Sequence, residues 1–154
     1  MTHLKQRFLE DHAALERRLQ RLGNAVDAND SSADLREIWS GFEADLLEHL
    51  ASEERDLFPS AASEQRAEIE ALRGEHQQIR RALAELGIRV ELHTLRKQAV
   101  DELIEFLRQH AAREDHSLYE WAERKDEPLP WRSLFAMFER HAARDDASKP
   151  RSHA

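Results

Sequence analysis

An apolar period close to 3.6 residues runs along almost the whole chain, and charged or imidazole side chains break into it at matching places. Phe42, Leu46 and Leu57 mark one stripe, and His49 and Glu53 stand on it four residues apart. Residues spaced i, i+3, i+4 and i+7 share one face of a helix. An imidazole and a carboxylate are therefore aimed where a core takes leucines. With only four Gly and four Pro in 154 residues, the pattern predicts an all-α chain.

The punctuation divides it into segments. A first helix is expected from Thr2 to Leu22, with Gly23 as its stop, followed by the loop NAVDANDSS. Asp34 and Glu37 resemble a capping box opening a second helix, with Ser31 and Ser32 as competing caps. Pro59 ends that helix near Phe58. A third helix is expected from Ser63 to Leu86, closed by Gly87, and a fourth from Val90 to Lys125. After DEPLP, the segment WRSLFAMFERHAAR forms a short fifth helix with Trp131, Leu134, Phe135 and Phe138 on one side. The simplest packing is an up-down-up-down four-helix bundle with a short fifth C-terminal helix. Residues 1–146 form one domain in this reading, and residues 147–154 a disordered tail.

The helices repeat in pairs. DHAALERRL (Asp11 to Leu19) aligns with EHQQIRRAL (Glu75 to Leu83), and HLASEERDLF (His49 to Phe58) with HAAREDHSLY (His110 to Tyr119). His12 falls on the stripe of Phe8, Leu15 and Leu19, and His76 on that of Leu72, Ile79 and Leu83. His110 and Glu114 fall among Leu103, Phe106, Leu107 and Leu118. Each of four helices thus aims a histidine inward, and two add a carboxylate one turn later.

One histidine in a core has a mundane explanation, a hydrogen bond to a neighbour. Six polar positions repeated by internal symmetry do not, because unpartnered buried glutamates cost several kcal/mol each, as an order of magnitude. A bound cation offsets that cost, and carboxylate and neutral imidazole are its ligands. The candidate set is His12, His49, Glu53, His76, His110 and Glu114. It is too many for one four-coordinate zinc, and the chain has no cysteine for a structural thiolate site. Mixed nitrogen and oxygen ligation suits iron first and manganese second. Neither Glu-x-x-His nor His-Glu-x-x-His occurs, and the isolated glycines form no phosphate loop.

His12, His49-x-x-x-Glu53, His76 and His110-x-x-x-Glu114, with LFP after the second motif, resemble the hemerythrin-like HHE cation-binding domain over the first four helices. The resemblance implies a non-haem di-iron centre (Fe2+/Fe3+) with a bridging oxo or hydroxo group, for which Mn or Zn are substitutes. By the same analogy, His12 and His49 bind one iron, His76 and His110 the other, and Glu53 and Glu114 bridge. Oxygen-carrying hemerythrins have a further His one turn away on the third helix. Here Leu72, Arg73, Ile79 and Arg80 occupy those places. They also place the last carboxylate five residues after the last His, where Asp115 stands. The four-His, two-Glu set is closer to bacterial di-iron proteins linked to repair of iron centres, nitric oxide and peroxide.

Three functions share these ligands: binding or sensing of O2 or NO, including reversible O2 carriage; turnover of peroxide or NO; and iron storage or donation for repair of iron centres. A net charge of -8, with arginines scattered among glutamates, disfavours nucleic acid as a partner. No apolar run is long enough to span a membrane, and the N-terminus lacks a signal-peptide core, so a cytoplasmic protein is expected. His3, His93 and His116 fall off the ligand faces and are expected at the surface. His141 lies beside the apolar face of the fifth helix. Arg80 is expected to point outward or to lend charge to the site, and Tyr119 and Trp121 to sit in the core or at the rim, with Tyr119 as an alternative gate to the metals.

Overall fold

A computed structural model describes residues 3–125, with side chains from residue 10 onward. The expected fifth helix at Trp131, the tail at 147–154, His141 and the side chains of His3 and Phe8 lie outside the described residues. The helices are α1 (His3–Asp27), α2 (Ser32–Asp56), α3 (Phe58–Glu91) and α4 (Lys97–Glu114), then a π-helical turn (Asp115–Tyr119) and α5 (Glu120–Lys125). Helix α1 packs on α2 and α4, and α3 packs on α2 and α4. Each helix thus touches its neighbours in sequence, and the ring closes between first and last, as an up-down-up-down bundle requires. No described helix is long and apolar enough to cross a membrane.

The helix ends differ from expectation in instructive ways. Gly23 and Gly87 do not stop their helices, because neither adopts the positive φ that a glycine cap needs. Both face a neighbouring helix, at ordinary contact distance for Gly23 and more tightly for Gly87. A Cβ on Gly23 would meet Val100 Cγ1 at 3.6 Å, and one on Gly87 would meet Trp39 Nε1 at 3.2 Å. The left-handed positions belong to Asn29 (φ 55°) and His93 (φ 57°). Helix α3 therefore runs on to Glu91, and α4 starts at Lys97 rather than Val90. Ser31 caps α2 by accepting from Asp34 N–H at 3.2 Å, and its hydroxyl donates to Asp34 at 2.6 Å. Asp34 is thus the partner of the cap and not the cap. Pro59 ends α2 and also opens α3 in its first turn, so the third helix begins at Phe58, with a break in helical geometry at Gln65 (φ −128°, ψ 39°).

The core is divided in two. One cluster holds Leu15, Leu19, Trp39, Phe42, Leu50, Ile79, Leu83 and Leu103, among others. The second holds Leu57, Phe58, Ile69, Leu72, Leu118, Tyr119 and Trp121. The layer between them, at the level of residues 12, 49–53, 76 and 110–114, is polar.

Candidate metal centre

All four helices contribute to that polar layer. His49, Glu53, His76, His110 and Glu114 are at most 4% exposed, and His12 is partly buried. The six residues named from the sequence come together as two groups that share Glu114. One is Glu53, His76, His110 and Glu114; the other is His12, His49 and Glu114. Within each group the donor atoms lie within 4.8 Å of one another. Metal bonds of about 2.0–2.2 Å place neighbouring ligand atoms roughly 3–4.4 Å apart, so each group is close to the size that one first-row cation needs.

The carboxylates span the two groups. Glu114 Oε1 lies 2.9 Å from His110 Nε2 and 3.4 Å from His76 Nε2, while its Oε2 lies 3.4 Å from His12 Nε2. Glu53 Oε1 faces His49 Nε2 at 3.5 Å, and its Oε2 faces His76 Nε2 at 3.5 Å. Both glutamates present one oxygen to each half. Asp115, the alternative for Glu114, belongs to neither group.

The electrostatics of the site are set by two buried carboxyl groups that crowd each other. Burial, and then the charge of Glu114, pushes the Glu53 carboxyl well above its usual range, against a hydrogen bond from Tyr119. Burial acts the same way on Glu114, but the His110 charge and hydrogen bonds from His110, His12 and His76 outweigh it and hold its carboxyl low. Burial lowers His110 as well, yet Glu114 and Glu75 raise it to about 9. His49, by contrast, is lowered to about 3 by burial and by the neighbouring His12. Two carboxylates crowded in a dry core, with imidazole nitrogens turned toward them, are what a cation would satisfy. Glu53 Oε2 is buried without a hydrogen bond among the described residues.

Two outer layers were not legible as such in the sequence. His76 Nδ1 lies 2.9 Å from Glu54 Oε1, and Arg80 grips Glu54 with bonds of 2.7 and 3.0 Å. Arg80 therefore faces the site through Glu54, not directly. His110 Nδ1 lies 2.7 Å from Glu75 Oε2, and Arg113 binds Glu75 at 2.6 Å and Glu68 at 2.6 and 3.0 Å. Acids beside the ligands, Glu54 after Glu53 and Glu75 before His76, were the available signal.

Tyr119, expected in the core, at the rim or as a gate to the metals, is fully buried beside the site. Its hydroxyl donates a short hydrogen bond to Glu53 Oε1 and lies 3.4 Å from Glu114 Oε2. In an α-helix a residue five positions after Glu114 points about 140° away. The π turn closes each bond over one residue more, which brings Tyr119 over Glu114. Its ring packs on His12 (centroids 5.9 Å apart), as its repeat partner Phe58 packs on His76 (5.1 Å). His93 and His116 are exposed, as expected, and His116 Nδ1–H donates to the Ala112 carbonyl at 2.8 Å.

A bundle built around a buried His/Glu cluster that could bind metal defines a class of helical cation-binding proteins. The chain belongs to the hemerythrin family: the model of the hemerythrin HHE cation binding domain matches residues 3–122. No curated protein and no solved structure matches the chain.

Proposed function

We propose that His12, His49, Glu53, His76, His110 and Glu114 hold two iron ions, and that the centre binds or reacts with a small diatomic or peroxide (O2, NO or H2O2) in sensing or in oxidative or nitrosative stress defence. One observation carries the second half of this reading. A cavity of about 270 Å³ adjoins His12 and His49 and is walled by Leu15, Leu19, Leu46, Ile104 and Leu107. It is more than large enough for a molecule of a few atoms, and the apolar part of its wall favours a weakly polar one. His110 lines it too, whereas His76 does not, and the Nδ1 edges of His76 and His110 are covered by Glu54 and Glu75.

Iron, when bound, supplies Lewis acidity and a change of oxidation state. The chain's own residues do the rest. The leucines and Ile104 give the His12/His49 half a largely apolar approach. The two glutamates, each turned to both halves, would offset part of the charge of both ions. Tyr119 offers a hydroxyl proton at the same half, beside Glu53 Oε1 and Glu114 Oε2. Arg108 and Glu16, paired at 2.5 and 3.0 Å, join α4 to α1 at the cavity wall.

The test is optical spectroscopy of iron-loaded protein as O2, NO and peroxide are added in turn. A reversible spectral change supports a carrier or sensor, and gas evolution or consumption of peroxide or NO an enzyme. Two bound irons that respond to none of the three would overturn the ligand-binding reading in favour of iron storage or donation. Protein that takes up no iron would overturn both.

A further inference from the structure

The wall of the cavity beside His12, His49 and His110 shows how that cavity is reached. Its inner part is Leu15, Leu19, Leu46 and Ile104, all buried. Its outer part is exposed or half-buried: Ala13 and Glu16 on α1, and Arg108, Ala111 and Ala112 on α4. The cavity therefore opens toward solvent between α1 and α4. Side-chain size accounts for the opening. The internal repeat sets α3 against α1 and α2 against α4, so the seam between α2 and α3 is the equivalent one. There Leu50, fully buried, stands where α4 has Ala111, and Gln77 where α1 has Ala13. Leucine fills one seam where alanine leaves room in the other.

One interaction crosses that opening. Arg108 donates from Nε to Glu16 Oε2 at 3.0 Å and from its terminal nitrogen to Glu16 Oε1 at 2.5 Å. Two parallel bonds of this kind fix both direction and separation, so the pair ties α4 to α1 across the mouth. The Arg108 side chain is 52% exposed and that of Glu16 28%, which puts the pair at the outer end of the cavity. Glu16 also accepts from Gln20 on its own helix at 2.8 Å, and Glu105 lies 3.9 Å from Arg108 on the other. Each partner is thus steadied from its own helix, and only the pair itself spans the seam at this point.

We propose that small uncharged molecules reach His12, His49 and His110 between α1 and α4, past Ala13, Ala111 and Ala112, and that the Arg108–Glu16 pair is the bar that sets how often this passage is wide enough. The proposal rests on the diatomic-or-peroxide reading above and adds to it the route and the residues that control it. A solvent-exposed ion pair breaks readily, because water replaces its bonds, so the bar delays passage without preventing it. A bar that does not touch the bound molecule favours neither the bound nor the free state. It changes the rates of entry and exit by one factor and leaves affinity alone.

The experiment is xenon exchange, since xenon enters apolar cavities without chemistry at a metal. Xenon NMR of Zn2+-loaded protein gives its exchange rate and its affinity together. Arg108→Ala and Glu16→Gln should each speed exchange about two- to fivefold at unchanged affinity, a modest factor because exposed pairs are weak. Ala112→Leu, which narrows the seam, should slow it. Arg89→Ala, which removes the exposed Arg89–Glu85 pair within α3, should leave it unchanged. Stopped-flow mixing of iron-loaded protein with NO should rank the association and dissociation rates of the same variants in the same order. Xenon exchange indifferent to Arg108, Glu16 and Ala112, or variants that shift affinity in place of rate, would overturn the passage while leaving the metal centre and its ligands as proposed. Xenon exchange in the expected order, with iron-loaded protein that responds to none of O2, NO and peroxide, would uphold the passage and overturn the ligand-binding reading.

Discussion

At the scale of single residues, the repeat makes its own controls. Tyr119 and Phe58 occupy equivalent places, five residues beyond Glu114 and Glu53, and each ring covers a histidine. They differ by one hydroxyl, which Tyr119 spends on Glu53 Oε1. Tyr119→Phe therefore keeps the packing and removes one donor from a fully buried carboxyl group. The expected loss is about 1–3 kcal/mol, seen as a lower melting temperature of metal-free protein. An unchanged value would mean that another group satisfies Glu53. Histidines supply a second comparison. His49 is 1% exposed and faces Glu53, whereas His116 is exposed and bonded to its own helix. His49→Ala, and its repeat partner His110→Ala, should lose metal, and His116→Ala should hold a normal complement. The check is metal per chain on identically loaded proteins; loss from His116→Ala with retention by His49→Ala would refute the assignment.

At the scale of helices, glycine teaches what the sequence could not reveal. As a stop, glycine must have a left-handed backbone; as a spacer, it must have a neighbour too near for a Cβ. Composition cannot tell these apart, because the neighbour comes from another part of the chain, as Trp39 does for Gly87, while Gly23 has only ordinary contacts with Val100. The inward histidines and glutamates were legible because they depend only on the 3.6 period within one helix. The π turn was not, since one backbone bond slipping by a residue leaves no mark on the apolar pattern. Its effect was to hide Tyr119 from a reading based on α-helical faces. The outer pairs were hidden for the reason that Gly87 was: Glu54 on α2 meets His76 on α3, and Arg113 on α4 meets Glu68 and Glu75 on α3. The same distinction predicts opposite behaviour in α3. Gly74 has no atom within 4 Å of where a Cβ would stand, so Gly74→Ala should stabilise by about 0.5–1 kcal/mol through helix propensity. Gly87→Ala should gain less or lose, because its Cβ would press on Trp39 Nε1 at 3.2 Å. Urea midpoints of the two variants decide this, and a larger gain at Gly87 would show that the indole yields freely.

At the scale of the whole molecule, the centre couples stability to pH and to metal. His110 in the metal-free fold is raised to about 9 from 6.5. A raised group contributes stability that is complete below its unfolded pKa and is lost as pH rises through the folded one. Its window is therefore 6.5 to 9. Glu53, also raised, acts in the same direction as pH increases. His49, lowered to about 3, does the reverse: its contribution is present above 6.5 and fades as pH falls toward 3. Glu114, held low, likewise loses its contribution below its usual 4.5. Metal-free protein should thus lose stability on the acid side through Glu114 and His49, and again between pH 6.5 and 9 through His110, with Glu53 adding a loss as pH rises above its usual 4.5. A bound cation removes the second loss, since it takes the place of the His110 proton between Nε2 and Glu114 Oε1, 2.9 Å apart. The rise in melting temperature on metal loading should accordingly be larger at pH 9 than at pH 6.5. Metal uptake by unbuffered protein near neutrality should also release protons. Melting curves of metal-free and loaded protein at the two pH values, with a pH-stat during loading, measure both effects. A stabilisation that shrinks toward pH 9, with no proton release, would mean that metal does not displace the His110 proton and that His110 lies outside the coordination sphere.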